Sequence, residues 1–168
     1  MVFRGNFNIR ENMATNNAIN LAKPYPLFFG YYSATTAAIT GDGTLFPLAF
    51  DTDKFDLGGN LLNGVVTIPT TGKYYIYVTT QLGSLAVGHT SCLLQVGLAG
   101  NYLDGGYVNI GAIRDSADTA SVSVCGLMDF TAADIVQASI TVTGAAKAVT
   151  VIGAATYSSY ICGYLINS

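Results

Sequence analysis

FDTDKFDLGGNLLNGVVTIPTTGKYYI, residues 50–76, packs four turn signals into a short space. Gly58-Gly59 and Asn63-Gly64 reach the positive φ angles that tight turns require, and Pro69 and Gly72 close the short apolar run VVTIP. Residues 73–82, KYYIYVTTQL, then alternate, with Tyr74, Ile76 and Val78 on one face and Tyr75, Tyr77 and Thr79 on the other. That two-residue period belongs to a strand. Both of its faces carry apolar groups, so the strand is expected at the centre of a sheet and covered on both sides. Ahead of Gly58, the segment holding Asp51, Asp53 and Asp56 reads as a polar loop.

Turn signals continue in both directions at the spacing of an all-β sandwich or barrel. Upstream, residues 27–34 (LFFGYYSA) and 45–50 are apolar segments separated by Gly41-Asp42-Gly43. Downstream, residues 91–97, 106–113, 120–128, 135–143, 148–152 and 160–166 bring the expected total to nine or ten strands. No segment has a convincing helical period, and residues 131–134 read as a turn between strands. Residues 1–26 differ from the rest. They are Asn-rich and end in Lys23-Pro24-Tyr25-Pro26, where two prolines forbid a helix. They read as an extended arm, ordered or floppy, in front of a single domain at residues 27–168.

Of the 168 residues, 51% are hydrophobic and 10% charged, against about 25% charged in an ordinary soluble domain. The mean hydropathy is +0.43, yet no run approaches the roughly 18 apolar residues of a spanning helix, and no membrane insertion is expected. Apolar surface in this excess is what subunits bury against one another, so composition alone points to an obligate oligomer. Net charge is unevenly divided. Arg4, Arg10 and Lys23 against Glu11 give the arm +2, and four cations against nine carboxylates give the body −5. A basic arm suits docking on an acidic surface. Three cations without an aromatic basic face give little phosphate neutralisation, so no nucleic-acid partner is expected. The first residues lack the apolar run of a secretory signal, which gives no support to Sec-type export.

The chemical inventory is thin. His89 is the sole histidine, and hydrolysis or group transfer needs a base, a nucleophile and an orienting group together, so no catalytic residue is assigned and no enzyme is expected. Cys92, Cys125 and Cys162 are odd in number and widely spaced, which fits neither a disulfide framework nor paired metal ligands; each reads as a small buried hydrophobe. His89 and Cys92 form H-x-x-C without the four ligands of a zinc site. Asp51, Asp53 and Asp56 are the candidate metal set, with calcium as the ion such carboxylates would take and Asp104 as a further donor. They fail the EF-hand pattern, because Asp56 stands where glycine is required, and Asp side chains at turns also bond nearby amides. Gly41-Asp42-Gly43 and Gly105-Gly106 match no phosphate loop. Asn101, Tyr102, Tyr107 and Asn109 combine aromatic and amide groups in expected loops, a candidate recognition surface for a glycan or a protein.

The stretch from Gly64 to Ile76 resembles the signature of C1q/TNF-like jelly-roll domains, G-x-F-T-x-P-x-x-G-x-Y-Y-F, in register over thirteen positions. Val66 and Ile76 replace its phenylalanines. Residues 132–136, AADIV, resemble the family's x-G-D-x-V turn and strand, with Ala133 in place of glycine. Residues 160–166, YICGYLI, resemble its closing F-x-G-x-L, where a small residue admits a bulky neighbour. The resemblance implies a ten-stranded, two-sheet jelly roll that assembles as a homotrimer around an apolar, aromatic axis. Tyr75, Tyr77, Phe130, Tyr160 and Tyr164 are the candidates for that interface, and the sequence does not separate interface from core for any of them.

Without a collagen stalk or a disulfide pair, and with the FDTDKFDLGGN segment in its present form, the chain is closer to the phage and bacterial branch of that family than to the secreted animal one. The expected function is therefore a non-enzymatic virion protein: a trimeric capsid decoration, knob or fibre head. It would be anchored to other virion proteins through Arg4, Arg10 and Lys23 of the arm, and would bind a host surface glycan or protein. The alternative is a bacterial extracellular or surface adhesin.

Overall fold

Residues 73–82 lie in the longest strand, β7 (Gly72–Gly83), of a computed structural model that describes residues 26–62 and 64–168. The inward row Tyr74, Ile76, Val78 and Leu82 is fully buried, as the alternation demands. Along one edge β7 pairs with β10 (Ala120–Phe130). Along the other it pairs with β13 (Tyr160–Asn167) over its first half and with β12 (Val149–Val151) at its end. The sheet continues outward through β1 (Leu27–Tyr31) and β4 (Thr52–Leu57) on one side and β2 (Thr36–Thr40) on the other, making seven strands.

A second sheet of six strands runs β5 (Leu61–Leu62), β6 (Val65–Thr67), β11 (Ile135–Thr143), β8 (Ser91–Leu98) and β9 (Asn101–Val108), with β3 (Leu45–Leu48) also paired to β11. Every pairing is antiparallel. Phe28, Tyr74, Ile76 and Ile161 of the first sheet meet Val66, Leu94, Val136 and Ile140 of the second in one core, the interdigitated middle of a two-layer sandwich.

Among the described residues thirteen strands thus stand where ten segments are read from the sequence, the additions being β2, β4 and β5. The supposed polar loop is mostly β4. Phe55 and Leu57 pair with Phe29 and Leu27 of β1, and these two apolar side chains at a two-residue spacing outweigh the aspartates between and before them. Residues 106–113 also differ, because the strand ends at Val108 and a single helical turn, α1 (Ile110–Ile113), follows. The Asn109 side chain caps it by accepting from the Ala112 N–H at 3.2 Å. Residues 131–134 form the expected turn, with the Asp134 N–H donating to Thr131 O at 3.0 Å.

Candidate functional site

The register of β4, β1, β13, β7 and β10 arranges the outward side chains of the first sheet into three belts across the strands. The lowest contains Leu57, Leu27, Tyr164, Tyr75 and Leu127; the middle one Phe55, Phe29, Cys162, Tyr77 and Cys125; the upper one Thr52, Tyr31, Tyr160, Thr79 and Ser123. None of these residues carries a fixed charge. Aromatic contacts link them laterally. Phe29 stacks on Tyr160 with centroids 4.9 Å apart, Tyr160 on Tyr77 at 5.6 Å, and Tyr75 leans on Tyr164 at 5.6 Å, within the range in which aromatic pairs attract. From the middle belt Tyr77 Oη donates upward to Ser123 Oγ, and Ser123 Oγ donates to Thr79 Oγ1 within the upper belt. Charges appear at the rims of the face: Lys73 pairs with Asp129 at 3.1 Å below the lowest belt, and the Lys54 ammonium lies 4.8 Å over the ring of Tyr157, which packs edge-on against Phe29 and Tyr31.

Large apolar groups stay open on this face: Phe55 is 40% exposed, Tyr164 46%, Leu57 51% and Leu127 55%. Of the five interface candidates, Tyr75, Tyr77, Tyr160 and Tyr164 all lie here. Phe130 does not. It is 3% exposed and packs edge-on against Tyr74 at 5.8 Å in the core, because it sits on the inward row of β10 with Val122, Val124 and Met128. Phe29, Phe55, Leu57, Leu127 and the two thiols belong to the face but escaped the sequence reading. The alternation in LFFGY could have pointed to Phe29; which side chains stand abreast is fixed only by strand pairing.

Asp51 and Asp53 border one crevice of about 120 Å³ with Phe50, Leu61 and Leu62, while Asp51 and Asp56 are each engaged by the backbone. Asp51 holds the chain at Ser33, accepting its N–H at 2.8 Å and its hydroxyl at 2.9 Å. Asp56 closes the turn into β5 by accepting the Leu61 N–H at 2.8 Å, while Asp53 stands opposite Gly30 on β4. Asp104 receives a 2.7 Å hydrogen bond from Gln95 Nε2. Among the described residues no group of three or more His, Cys, Asp or Glu side chains gathers around a metal position. His89 is 1% exposed. Its Nδ1 accepts from the Ala86 N–H at 2.8 Å, and its Nε2 faces the Ala146 carbonyl at 3.3 Å, the pattern of a ring carrying its proton on Nε2. Both nitrogens serve the backbone.

Asn101, Tyr102 and Tyr107 lie on strand β9 and Asn109 caps α1, so the recognition set is exposed but is not a loop. The β8–β9 register slips at Gly105-Gly106, where Leu93 faces Tyr107 and Gln95 faces Asp104. Gly106 takes a φ of 76° at this bulge, and the extra residue keeps Tyr107 on the same outward side as Asp104 and Tyr102. Tyr107 is 78% exposed. Beneath Gly105 and Gly106, between β9 and β10, lies a crevice of about 170 Å³ floored by Cys92, Leu94 and Val122, smaller than the roughly 300 Å³ at which ligand pockets begin. Arg4, Arg10 and Lys23 lie outside the described residues.

No protein-family model matches the chain, and no curated protein matches it in sequence. Solved structures do match in fold. The globular domain of zebrafish complement 1qA protein superposes with a TM-score of 0.56 at 18% identity, covering 84% of this chain and 98% of that one. Murine APRIL matches at 0.57 and 11%, covering 85% and 100%, and Eiger TNF from S. frugiperda at 0.57 and 13%, covering 87% and 95%. Two antiparallel sheets closed over a single core, matching these domains over nearly their whole length, give the chain the C1q/TNF-like jelly-roll fold.

Proposed function

We propose that the chain is a non-enzymatic, homotrimeric binding module in which three copies turn their belted faces toward a common axis. The observation that carries this reading is the aromatic face itself, with charge only at its rims, since a monomer rarely leaves so continuous an apolar patch in water. The face is also lopsided, bounded by β10 on one side and by β4 on the other. A head-to-tail ring of copies brings two such different edges together. Once the ring closes, the second sheet faces solvent, and Tyr102 and Tyr107 with Asn101 and Asn109 form the recognition surface.

The finer reading is the trimeric knob, fibre head or capsid decoration of a phage or other virus. Residues 1–26 are its anchor to other virion proteins, Arg4, Arg10 and Lys23 docking on an acidic surface. The charge asymmetry between arm and body supports it. Light scattering on the purified chain tests the trimer: three times the 17.5 kDa chain mass is expected, and a concentration-independent monomer refutes it. Tyr164→Asp would place three carboxylates in the apolar belt and should give folded monomers. Mass spectrometry of purified virions tests the location. Absence from particles, with the chain found on or outside bacterial cells, selects the adhesin alternative.

A further inference from the structure

The outward side chains of the second sheet also fall into rows, with a chemistry unlike that of the belted face. Tyr107, Leu93, Thr141 and Leu45 stand abreast in one row, Asp104, Gln95, Ser139 and Pro47 in the next, and Tyr102, Gly97 and Gln137 in the third. Among the described strands of this sheet Asp104 is the sole carboxylate, and no Lys, Arg or His joins it. Arg114, just past α1, pairs with Asp118, and Lys147, on the loop after β11, lies near Asp42. Two exposed tyrosines on the β9 edge therefore flank a row of neutral amide and hydroxyl groups with one carboxylate. Four residues of β8 separate the two tyrosine rows, a span of about 13 Å, longer than a single sugar ring.

An uncharged ligand rich in hydroxyls suits this surface. The C–H face of a sugar lies flat on an aromatic ring, and Tyr107, beside Leu93, and Tyr102 offer two such rings. Gln95 Nε2 donates to Asp104 Oδ1 at 2.7 Å. A carboxylate has about four acceptor positions, so the others are open to sugar hydroxyls, in bonds that its charge strengthens. An anionic glycan would meet that carboxylate and no cation. A protein partner would want a continuous apolar core, and here the row of Asp104, Gln95 and Ser139 divides the apolar groups of the outer rows. We propose that this face binds a neutral oligosaccharide, stacked on Tyr107 and Tyr102 and hydrogen-bonded to Asp104 and Gln95. This rests on the reading above that the second sheet is the solvent-facing recognition surface.

The test spreads the labelled full chain over an array of neutral gluco-, manno-, galacto- and chito-oligosaccharides with sialylated and sulfated counterparts, beside light scattering of the same sample. Binding to a neutral series that persists as salt is raised is expected, because no ion pair is there to be screened. Tyr107→Ala and Asp104→Asn should each weaken it by about tenfold or more, through loss of a stacked ring or of a charge-assisted hydrogen bond. Tyr107→Phe keeps the ring and should keep the binding. A trimer that binds no neutral sugar, or only the sialylated and sulfated ones, overturns the saccharide site and leaves the trimer standing. Neutral-sugar binding untouched by Tyr107→Ala and Asp104→Asn overturns its placement on this face. Binding to bacterial envelopes that depends on Tyr107 and survives periodate, which cleaves vicinal diols, but not protease assigns the face to a protein and overturns the sugar. A monomer that binds the neutral series overturns the trimer and leaves the site standing, and a monomer that binds nothing overturns both.

Discussion

Ala133 holds a φ of 74° in the turn before β11, with its N–H donating to Ile68 O at 2.8 Å. An L-residue there costs roughly 1–2 kcal/mol, and glycine, which fills the matching position in the resembled signature, escapes that cost at the expense of roughly 0.5–1 kcal/mol in chain entropy. Ala133→Gly should therefore stabilise the protein by about 0.5–1 kcal/mol, read as a melting temperature higher by about 1–4 °C at fixed protein concentration. Gly163 predicts the opposite sign. A Cβ there would stand 2.6 Å from Phe28 Cζ and 2.9 Å from Tyr75 O, and the backbone oxygen cannot move aside as a flexible side chain does. Gly163→Ala should cost about 1–3 kcal/mol, the range for overpacking a filled core, and urea midpoints would measure it.

Strand β7 was legible because its pattern is written in one segment, alternating side chains between turn residues, and the closing strand was legible through Ile161, Gly163 and Leu165 for the same reason. Strand β4 was not, because its apolar pair Phe55 and Leu57 is diluted by Asp51, Asp53, Lys54 and Asp56, and only pairing with β1 recruits it to a sheet. Helix α1 is a single turn, too short to show a period. It exists because Asn109 caps it and because Gly111 fits where a Cβ would lie 2.4 Å from His89 O. The recognition set was read correctly as exposed residues but misread as loop, since nothing in GGYVN marks a bulge in an edge strand. Four of the five tyrosine and phenylalanine candidates fell on one face, while Phe130 differed because parity along β10 is set by where its pairing with β7 begins.

At the scale of the whole molecule, buried weak acids set a limit on stability in alkali. Burial pushes the Cys92 thiol up from 9.0 to about 12 and the Tyr32 phenol from 10.0 to about 12. From neutral pH to just below 9 both are protonated in folded and unfolded chains, so these two groups leave stability unchanged there. Between 9 and 12 the unfolded chain releases protons that the folded one keeps, and each group then removes at most about 1.4 kcal/mol per pH unit. Tyr74, Tyr160 and Cys162, pushed up by burial as well, act with the same sign. Thermal melts should hold level to pH 9 and fall above it, and Cys92→Ala should make the first part of that decline shallower. The composition of the belts runs from three leucines and two tyrosines at one level to threonines, serine and tyrosines at the other, so the face is graded and wets more readily toward Ser123 than toward Leu127.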